Sequence, residues 1–398
     1  MSDLPWLTII GLGENGPEGL TDASRKALSE AEIIMGPPRH LSLLPETGAT
    51  RVEWPVPFAD GVQHLLTLRG RRVVVLASGD PFWFGAGTVL ARYFAPTEWS
   101  AHPGPSVFSL AAAKLGWGIE GVTCLGLHAA PLSRLRPHLA HGVRLIVTLR
   151  DGAAVGDLAA YLVATGFGST QMDVLSALGG PRERHVTLRA DEPVPEGIAH
   201  PVCVALTCGD GPALPRTSGK PDEIFETDGQ LTKRPVRALT LSALAPRPYE
   251  RLWDIGGGTG TIAIEWLLSD PTVTATAIEQ SPERAARIAR NAADLGVERL
   301  QVVTGTAPAA LDGLPDPDVV FVGGGLSDAL LEVLQTRLRA GTRLVCNAVT
   351  LESEATLTRW HGKLGGDLMR IELAHARALG ALTGWKSAYP VVQWSVTL

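Results

Sequence analysis

Asp254-Ile255-Gly256-Gly257-Gly258-Thr259-Gly260 follows an apolar run at 252–255 and precedes a helical stretch that opens at Thr261. Strand, glycine turn and helix in that order build the edge of a Rossmann-like sheet where ligands meet the carboxyl ends of the strands. The turn needs glycine because a Cβ would collide with a ligand lying against the backbone. The next apolar run, 273–278, ends at Glu279, spaced to accept hydrogen bonds from both hydroxyls of a ribose. Two cofactors suit this plan. A dinucleotide fingerprint reads G-x-G-x-x-G, with the helix amino terminus free for pyrophosphate. Here Thr261 stands at the third glycine's position and Asp254 opens the loop. A carboxylate beside pyrophosphate is unfavourable, whereas the ammonium or sulfonium of S-adenosylmethionine tolerates it. The form D-x-G-x-G-T-G therefore favours S-adenosylmethionine over a nicotinamide dinucleotide. A turn serving chain reversal alone is the remaining reading.

Strand-length apolar runs at 252–255, 273–278, 300–303, 319–322 and 344–349 alternate with helical stretches, which marks an α/β domain. Two further β-like runs, 368–374 and 391–398, close the chain. With no long helix expected among the last three elements, the final pair is expected to be antiparallel. Upstream, residues 211–221 (GPALPRTSGKP) are rich in Pro and Gly and lack apolar periodicity, the composition of a linker. The domains are therefore set at 1–212 and 222–398 with a linker at 213–221, and a weaker break near 114–122 divides the first into two lobes. That first region reads as a helix at 21–31, strands at 71–77, 123–127 and 143–149, and a helix at 157–165. Three turns there each close a strand: Gly11-Leu12-Gly13, Gly79-Asp80-Pro81 and Pro103-Gly104-Pro105-Ser106. Sharing one sheet edge, they would line one crevice; ordinary turn chemistry is the alternative, Gly and Pro being frequent in such turns.

The 398 residues carry 35 Lys and Arg against 41 Asp and Glu, a formal charge of −6. With no basic cluster, a nucleic-acid partner is disfavoured. No apolar run reaches the ~18 residues of a membrane span, and the start Met1-Ser2-Asp3-Leu4-Pro5-Trp6 lacks the charged and apolar regions of a signal peptide. The four cysteines, Cys124, Cys203, Cys208 and Cys346, sit in or beside apolar β-rich runs without a CxxC pair. They read as small buried hydrophobes in a reducing compartment, with no metal site expected. The expectation is a soluble, cytoplasmic, homo-oligomeric protein.

Two resemblances bear on the chain as a whole. Residues 219–237 (GKPDEIFETDGQLTKRPVR), the glycine loop, Gly323-Gly324-Gly325 and residues 347–355 (NAVTLESEA) resemble the decarboxylating half of the precorrin-6Y C5,15-methyltransferase family, over about 219–398. The resemblance implies that Thr232 lies near the methionine end of S-adenosylmethionine, that Gly256, Gly257, Gly258, Thr259 and Gly260 form its loop, that Glu279 binds ribose, and that Ala307 gives a backbone contact near adenine. It places Gly323, Gly324 and Gly325 at the edge of a substrate pocket. A helix cap is the alternative role for Thr232, which precedes Lys233-Arg234-Pro235 and a helical run.

Residues 5–212 resemble the tetrapyrrole methylase family through the opening Gly11-Leu12-Gly13, residues 35–41 (MGPPRHL), 77–81 (ASGDP) and 179–184 (GGPRER). That likeness implies S-adenosylmethionine held between two α/β lobes, with Gly79, Asp80 and Pro81 lining the cofactor cleft and Gly11, Gly13 and Ser106 near substrate or cofactor. Two departures stand out: Glu14-Asn15-Gly16 replaces the usual Pro-Gly, and Leu127-His128-Ala129-Ala130 replaces a common His-Gly-Arg. Arg39 and Arg182 are the candidates to take over carboxylate binding; structural arginines are the alternative. Together the resemblances imply a two-lobed tetrapyrrole methylase domain, then a Rossmann-like class I methyltransferase domain with an antiparallel final strand. They imply one S-adenosylmethionine site per domain and a tetrapyrrole substrate, methylated at C-5 by the first domain and at C-15, with decarboxylation of the ring C acetate, by the second. A methyltransferase for another tetrapyrrole, with one domain a non-catalytic binding module, is the alternative.

Overall fold

The computed structural model describes residues 5–398 and resolves them into two units. One unit runs to Leu132 and resumes over His138–Pro212; the other comprises Ser133–Pro137 and Ala213–Leu398.

In the first unit, β1 (Leu7–Leu12), β2 (Ile33–Gly36), β3 (Thr50–Glu53), β4 (Val73–Ser78) and β5 (Trp99–His102) form an all-parallel sheet in the order β3-β2-β4-β1-β5. Its central strands are apolar on both faces, as a parallel sheet covered on both sides requires. Leu7, Ile9, Val73 and Val75 pack with Val62 and Leu65 of the helix Phe58–Thr67. Ile10, Leu12, Val74 and Leu76 pack on the other face with Leu28 of the helix Asp22–Glu30. Thr21 caps that helix, its hydroxyl accepting from the Ser24 amide at 3.2 Å.

The second sheet holds β6 (Thr123–Gly126), β7 (Arg144–Leu149), β8 (Gln171–Ser176), β9 (Arg184–Arg189) and β10 (Val202–Thr207) in the order β6-β7-β10-β8-β9. Only β6 and β7 run parallel there. Most expected boundaries shift by one residue, and two starts shift by more. The strand expected at 71–77 begins at Val73, because Arg71 and Arg72 lie in solvent beside Glu32. The helix expected from 157 begins at Ala154, whose amide is satisfied by the Asp151 carboxylate at 3.0 Å.

The second unit is built on β11 (Arg251–Ile255), β12 (Thr274–Glu279), β13 (Gln301–Thr304), β14 (Val319–Val322), β15 (Arg343–Ala348), β16 (Asp367–Ile371), a hairpin of β17 (Ala374–Leu379) and β18 (Leu382–Ser387), and β19 (Val391–Thr397). Its seven-stranded sheet has the order β13-β12-β11-β14-β15-β19-β16. The first five strands are parallel, and β19 runs antiparallel to both β15 and β16. The final pairing is thus antiparallel as expected, but the premise fails. The helix Leu351–Leu364 separates β15 from β16, started by Thr350, whose hydroxyl accepts from Ser353 N, and by acidic residues in its first turn. The run expected at 368–374 divides between β16 and the hairpin.

The end of the Pro- and Gly-rich stretch is anchored rather than loose. Gly219 N and Lys220 N donate to the two oxygens of Glu265 at 2.7 and 2.9 Å. Arg237, fully buried, donates to the same carboxylate at 2.6 Å, to Asp222 at 3.0 Å, and to the carbonyls of Lys220 and Thr232. The ion pair thus pins both ends of the segment 219–233, while Phe225 in the core and Asn291 on the Glu226 backbone hold its middle. Glu265→Ala leaves Arg237 buried without its main partner, which costs about 3–5 kcal/mol. Hydrogen exchange across the helix Thr261–Ser269 in the full chain checks this; unchanged opening free energies there would refute it.

Candidate active sites

A cavity of about 1200 Å³ opens at the carboxyl ends of the parallel strands of the second unit. Gly256, Gly257, Gly258 and Thr259 line it after β11, Glu279 at the end of β12, Ala307 after β13, and Gly323, Gly324 and Gly325 after β14. The loops after β11 and β14 touch backbone to backbone. A Cβ on Gly256, whose φ is +75°, would lie 2.5 Å from Gly324 N. Gly258 differs: φ is +58°, yet a Cβ there would meet no protein atom nearer than 3.9 Å. The space is that of the cavity, so a side chain at 258 would fill the cradle itself.

Glu279 is buried, one carboxylate oxygen accepting from Gly258 N at 2.8 Å and the other from Ser281 N at 3.0 Å. It therefore shapes the glycine loop while facing the cavity. Asp254 lies beneath the loop and accepts from Ala263 N at 3.1 Å. Burial pushes its carboxyl up to about 7 against the pull of that amide, and the Glu279 charge adds to the rise. Thr259 donates its hydroxyl to the Gln230 carbonyl at 2.8 Å, tying the strap to the loop. Thr232 lines the cavity, and the capping alternative is overturned: the helix Arg234–Leu244 has Lys233 at its cap, with no side-chain bond. Gly260 is a correction. It stands outside the cavity lining, φ +81°, and a Cβ would come within 2.8 Å of Ile288. Its glycine is demanded by helix packing.

In the first unit a cavity of about 830 Å³ is lined from both sheets. Gly13, Gly79, Asp80 and Ser106 lie on it; Gly11 and Pro81 do not. A Cβ on Gly11 would fall 1.7 Å from Gly79 O and 2.6 Å from Gly104 N, so this glycine lets three strand ends meet. Pro81 is buried with its carbonyl turned to Gly85 and Gly87, where added Cβ atoms would stand 2.5 and 2.8 Å away. Asp80 accepts from Phe82 N at 2.8 Å and holds the turn; Ser106 accepts from Ser109 N at 3.0 Å and caps the helix Val107–Leu115. Arg39 and Arg182 are both engaged by the buried carboxylate of Glu14, Arg182 at 3.1 Å. Arg39 also donates to His40 Nε2 at 2.8 Å and Ser78 Oγ at 3.0 Å. Burial first, then the Arg39 charge, hold His40 down to about 3, so the ring accepts as a neutral base. The structural alternative for both arginines thus gains a concrete partner.

Several lining groups escape sequence reasoning. Trp54, Trp83, Phe84 and Phe108 give the first cavity an aromatic wall. Phe84, at φ +56°, is half exposed and sits against Gly126, where a Cβ would be 2.9 Å from its ring. Three consecutive aromatics at 82–84, directly after a glycine turn, were the available signal. In the second cavity Gln230, Asn347, Arg377 and Tyr389 come from segments far apart in sequence.

Residues 6–193 match the profile of the tetrapyrrole (corrin/porphyrin) methylases, and residues 223–398 that of the precorrin methyltransferase domain. A precorrin-6Y C(5,15)-methyltransferase [decarboxylating] of Sinorhizobium sp is 50% identical over 99% of this chain and 96% of its own length. The chain belongs to the precorrin-6Y C(5,15)-methyltransferase (decarboxylating) family. It is an S-adenosylmethionine-dependent methyltransferase of α/β architecture. Two shorter relatives come from Salmonella typhimurium. A cobalt-precorrin-6B C(15)-methyltransferase (decarboxylating) is 31% identical over 43% of this chain and 91% of its own length. A cobalt-precorrin-7 C(5)-methyltransferase is 28% identical over 45% of this chain and 88% of its own.

The cradle at Gly258 and the buried carboxylate of Glu279 fit an adenosine-bearing cofactor. Glu279→Ala is expected to weaken S-adenosylmethionine at the second unit by about 1.5–3 kcal/mol, the range for hydrogen bonds to a charged group. Methylthioadenosine, which keeps the ribose, should lose as much. Calorimetry decides; retained affinity for both would leave Glu279 a loop-shaping residue only.

Proposed function

We propose that this chain methylates precorrin-6Y at C-5 in the first unit and at C-15 in the second, where the ring C acetate is also lost as carbon dioxide. Each unit holds its own S-adenosylmethionine. The observation that carries this reading is the presence of two separate cavities, each at the carboxyl edge of a parallel sheet and each with glycine turns in its wall. The two shorter relatives, named for C(15) and C(5) chemistry separately, support dividing the work.

S-adenosylmethionine supplies an electrophilic methyl group when bound. In the second unit the backbone of Gly256–Gly258 and the Glu279 carboxylate would hold its nucleoside, with Ala307, Thr232 and Gln230 lining the rest of the same cavity. Methylation of an electron-rich bridge carbon asks mainly for alignment, which is an orientation effect. Phe321, Val349, Ile371, Leu373 and Val391 add an apolar wall. Such a wall removes water from the acetate and favours its loss, the electron pair passing into the conjugated macrocycle. In the first unit Gly13, Gly79, Asp80 and Ser106 border the cofactor or substrate, and the aromatic wall suits a flat macrocycle.

The chain also associates with further copies of itself, in the cytoplasm. A two-stranded hairpin is marginal in water, yet β17–β18 leaves Trp385 79% exposed on the side opposite His375 and Arg377. Contact with another copy would cover it. The four cysteines, all free, suit a reducing compartment. Among the described residues no helix is long and apolar enough to cross a membrane.

Two measurements test these points. A folded Asp80→Ala enzyme should still add one methyl group and release carbon dioxide, whereas Gly258→Val should abolish carbon dioxide release. Mass spectrometry of the products decides, and loss of all chemistry from folded Asp80→Ala would refute the division. Sedimentation velocity should show Trp385→Asp shifting the chain toward monomer; an unchanged coefficient would count against association through the hairpin.

A further inference from the structure

The cations of the second unit fall into two populations. Most arginines are held: Arg237 by Glu265, Arg284 by Asp228, Arg290 by Glu226, Arg343 by Glu250 and Arg359 by Asp328. Lys233, Arg234, Arg377 and Lys386 are exposed, and their side chains have no ion-pair or hydrogen-bond partner among the described residues. Three of these four, Lys233, Arg234 and Arg377, line the second cavity.

The hairpin register concentrates the charge further. His375 stands directly opposite Lys386, and Arg377 opposite Gly384. Directly opposed residues share a face, so His375, Arg377 and Lys386 lie on one side of the ribbon, with His375 and Arg377 on the cavity. Gly384 leaves Arg377 no cross-strand side chain to rest on. Arg377 and Lys386 are diagonal neighbours, a spacing within reach of long side chains, and like charges so placed repel. An uncompensated cationic face on a ribbon of marginal stability is a cost that an anionic ligand removes.

We infer that His375, Arg377 and Lys386 of the hairpin, with Lys233 and Arg234 on the same cavity, bind the peripheral carboxylates that the tetrapyrrole keeps. This rests on the substrate assigned above. Guanidinium groups grip carboxylates with two parallel hydrogen bonds, so Arg377 is the main anchor. The apolar wall takes the acetate that is lost, while the cationic side holds the retained carboxylates and fixes which side chain reaches that wall. These residues position the macrocycle and touch no methyl group.

The double variant R377Q/K386Q in the full chain is the test. With S-adenosylmethionine saturating, KM for precorrin-6Y in carbon dioxide release should rise about tenfold or more, as expected for losing hydrogen bonds to charged groups. Limiting kcat and S-adenosylmethionine affinity should stay within about twofold, and the difference in KM should narrow as salt screens the charges. R377K should recover part of the loss, and R247Q, an exposed arginine outside the cavity, should behave as wild type. Uroporphyrin, an octacarboxylate, probes the site without turnover: one binding event of the wild type should weaken about tenfold in the double variant, while its octamethyl ester should not distinguish the two. Unchanged KM and unchanged uroporphyrin binding, or an equal loss in R247Q, would overturn the site. A wild type that binds uroporphyrin through these residues yet does not turn over precorrin-6Y would keep the site and sink the substrate assignment.

Discussion

Neighbouring parallel strands in this protein end so close together that no side chain fits between their turns. In the first unit the Gly79 carbonyl accepts from Gly104 N at 3.0 Å while Gly11 lies against both. In the second, Gly256 meets the backbone of Gly324. Two differently connected sheets thus reach the same solution. Bare backbone at the carboxyl edge brings adjacent strand ends together and leaves a cavity in front of them, with amides and carbonyls instead of side chains in its wall. The glycines do two kinds of work, and only Gly258 and its like face the ligand space.

The second unit adds a covering segment to that edge. Residues 219–233 are placed by the buried Arg237–Glu265 pair together with Phe225, which enters the core, and Asn291, which bonds the backbone of Glu226. The Arg237 guanidinium uses its fixed fork to hold a carboxylate and two carbonyls together, a geometry lysine does not offer. Burying such a pair adds little net stability. Its effect here is positional: it sets Thr232 and Gln230 over the glycine loop, where Thr259 completes the connection. Outside, Arg284 and Arg290 tie Asp228 and Glu226 to the helix Pro282–Asp294.

The hairpin β17–β18 is the least self-sufficient element. Its alternation divides a cationic side, whose His375 and Arg377 line the cavity, from a side that carries Trp385 opposite Ala376. Neither side is buried in this chain, so ligand and neighbouring copies are both candidates to order it.

The sequence by itself determined the fold class, the succession of strands along the second unit and the glycine turns at their ends, because these depend on local patterns: apolar runs, glycine after a strand, an acidic residue at a strand end. It also marked Glu279 and the loop at 256–259. It could not separate Gly258, which faces the cavity, from Gly260 and Gly11, which face neighbouring backbone or Ile288, since every glycine reads alike until its surroundings are known. The helix Leu351–Leu364 is legible in Thr350 and its acidic first turn, a weaker pattern than the β-like runs on either side. Other features were decided only by tertiary structure. Glu14 captures Arg39 and Arg182 across 25 and 168 residues of chain. Arg237 straps the segment before it through Glu265, and His375 and Lys386 share a face only because the hairpin register pairs them. Each depends on distance between groups remote in sequence, which a one-dimensional pattern does not contain.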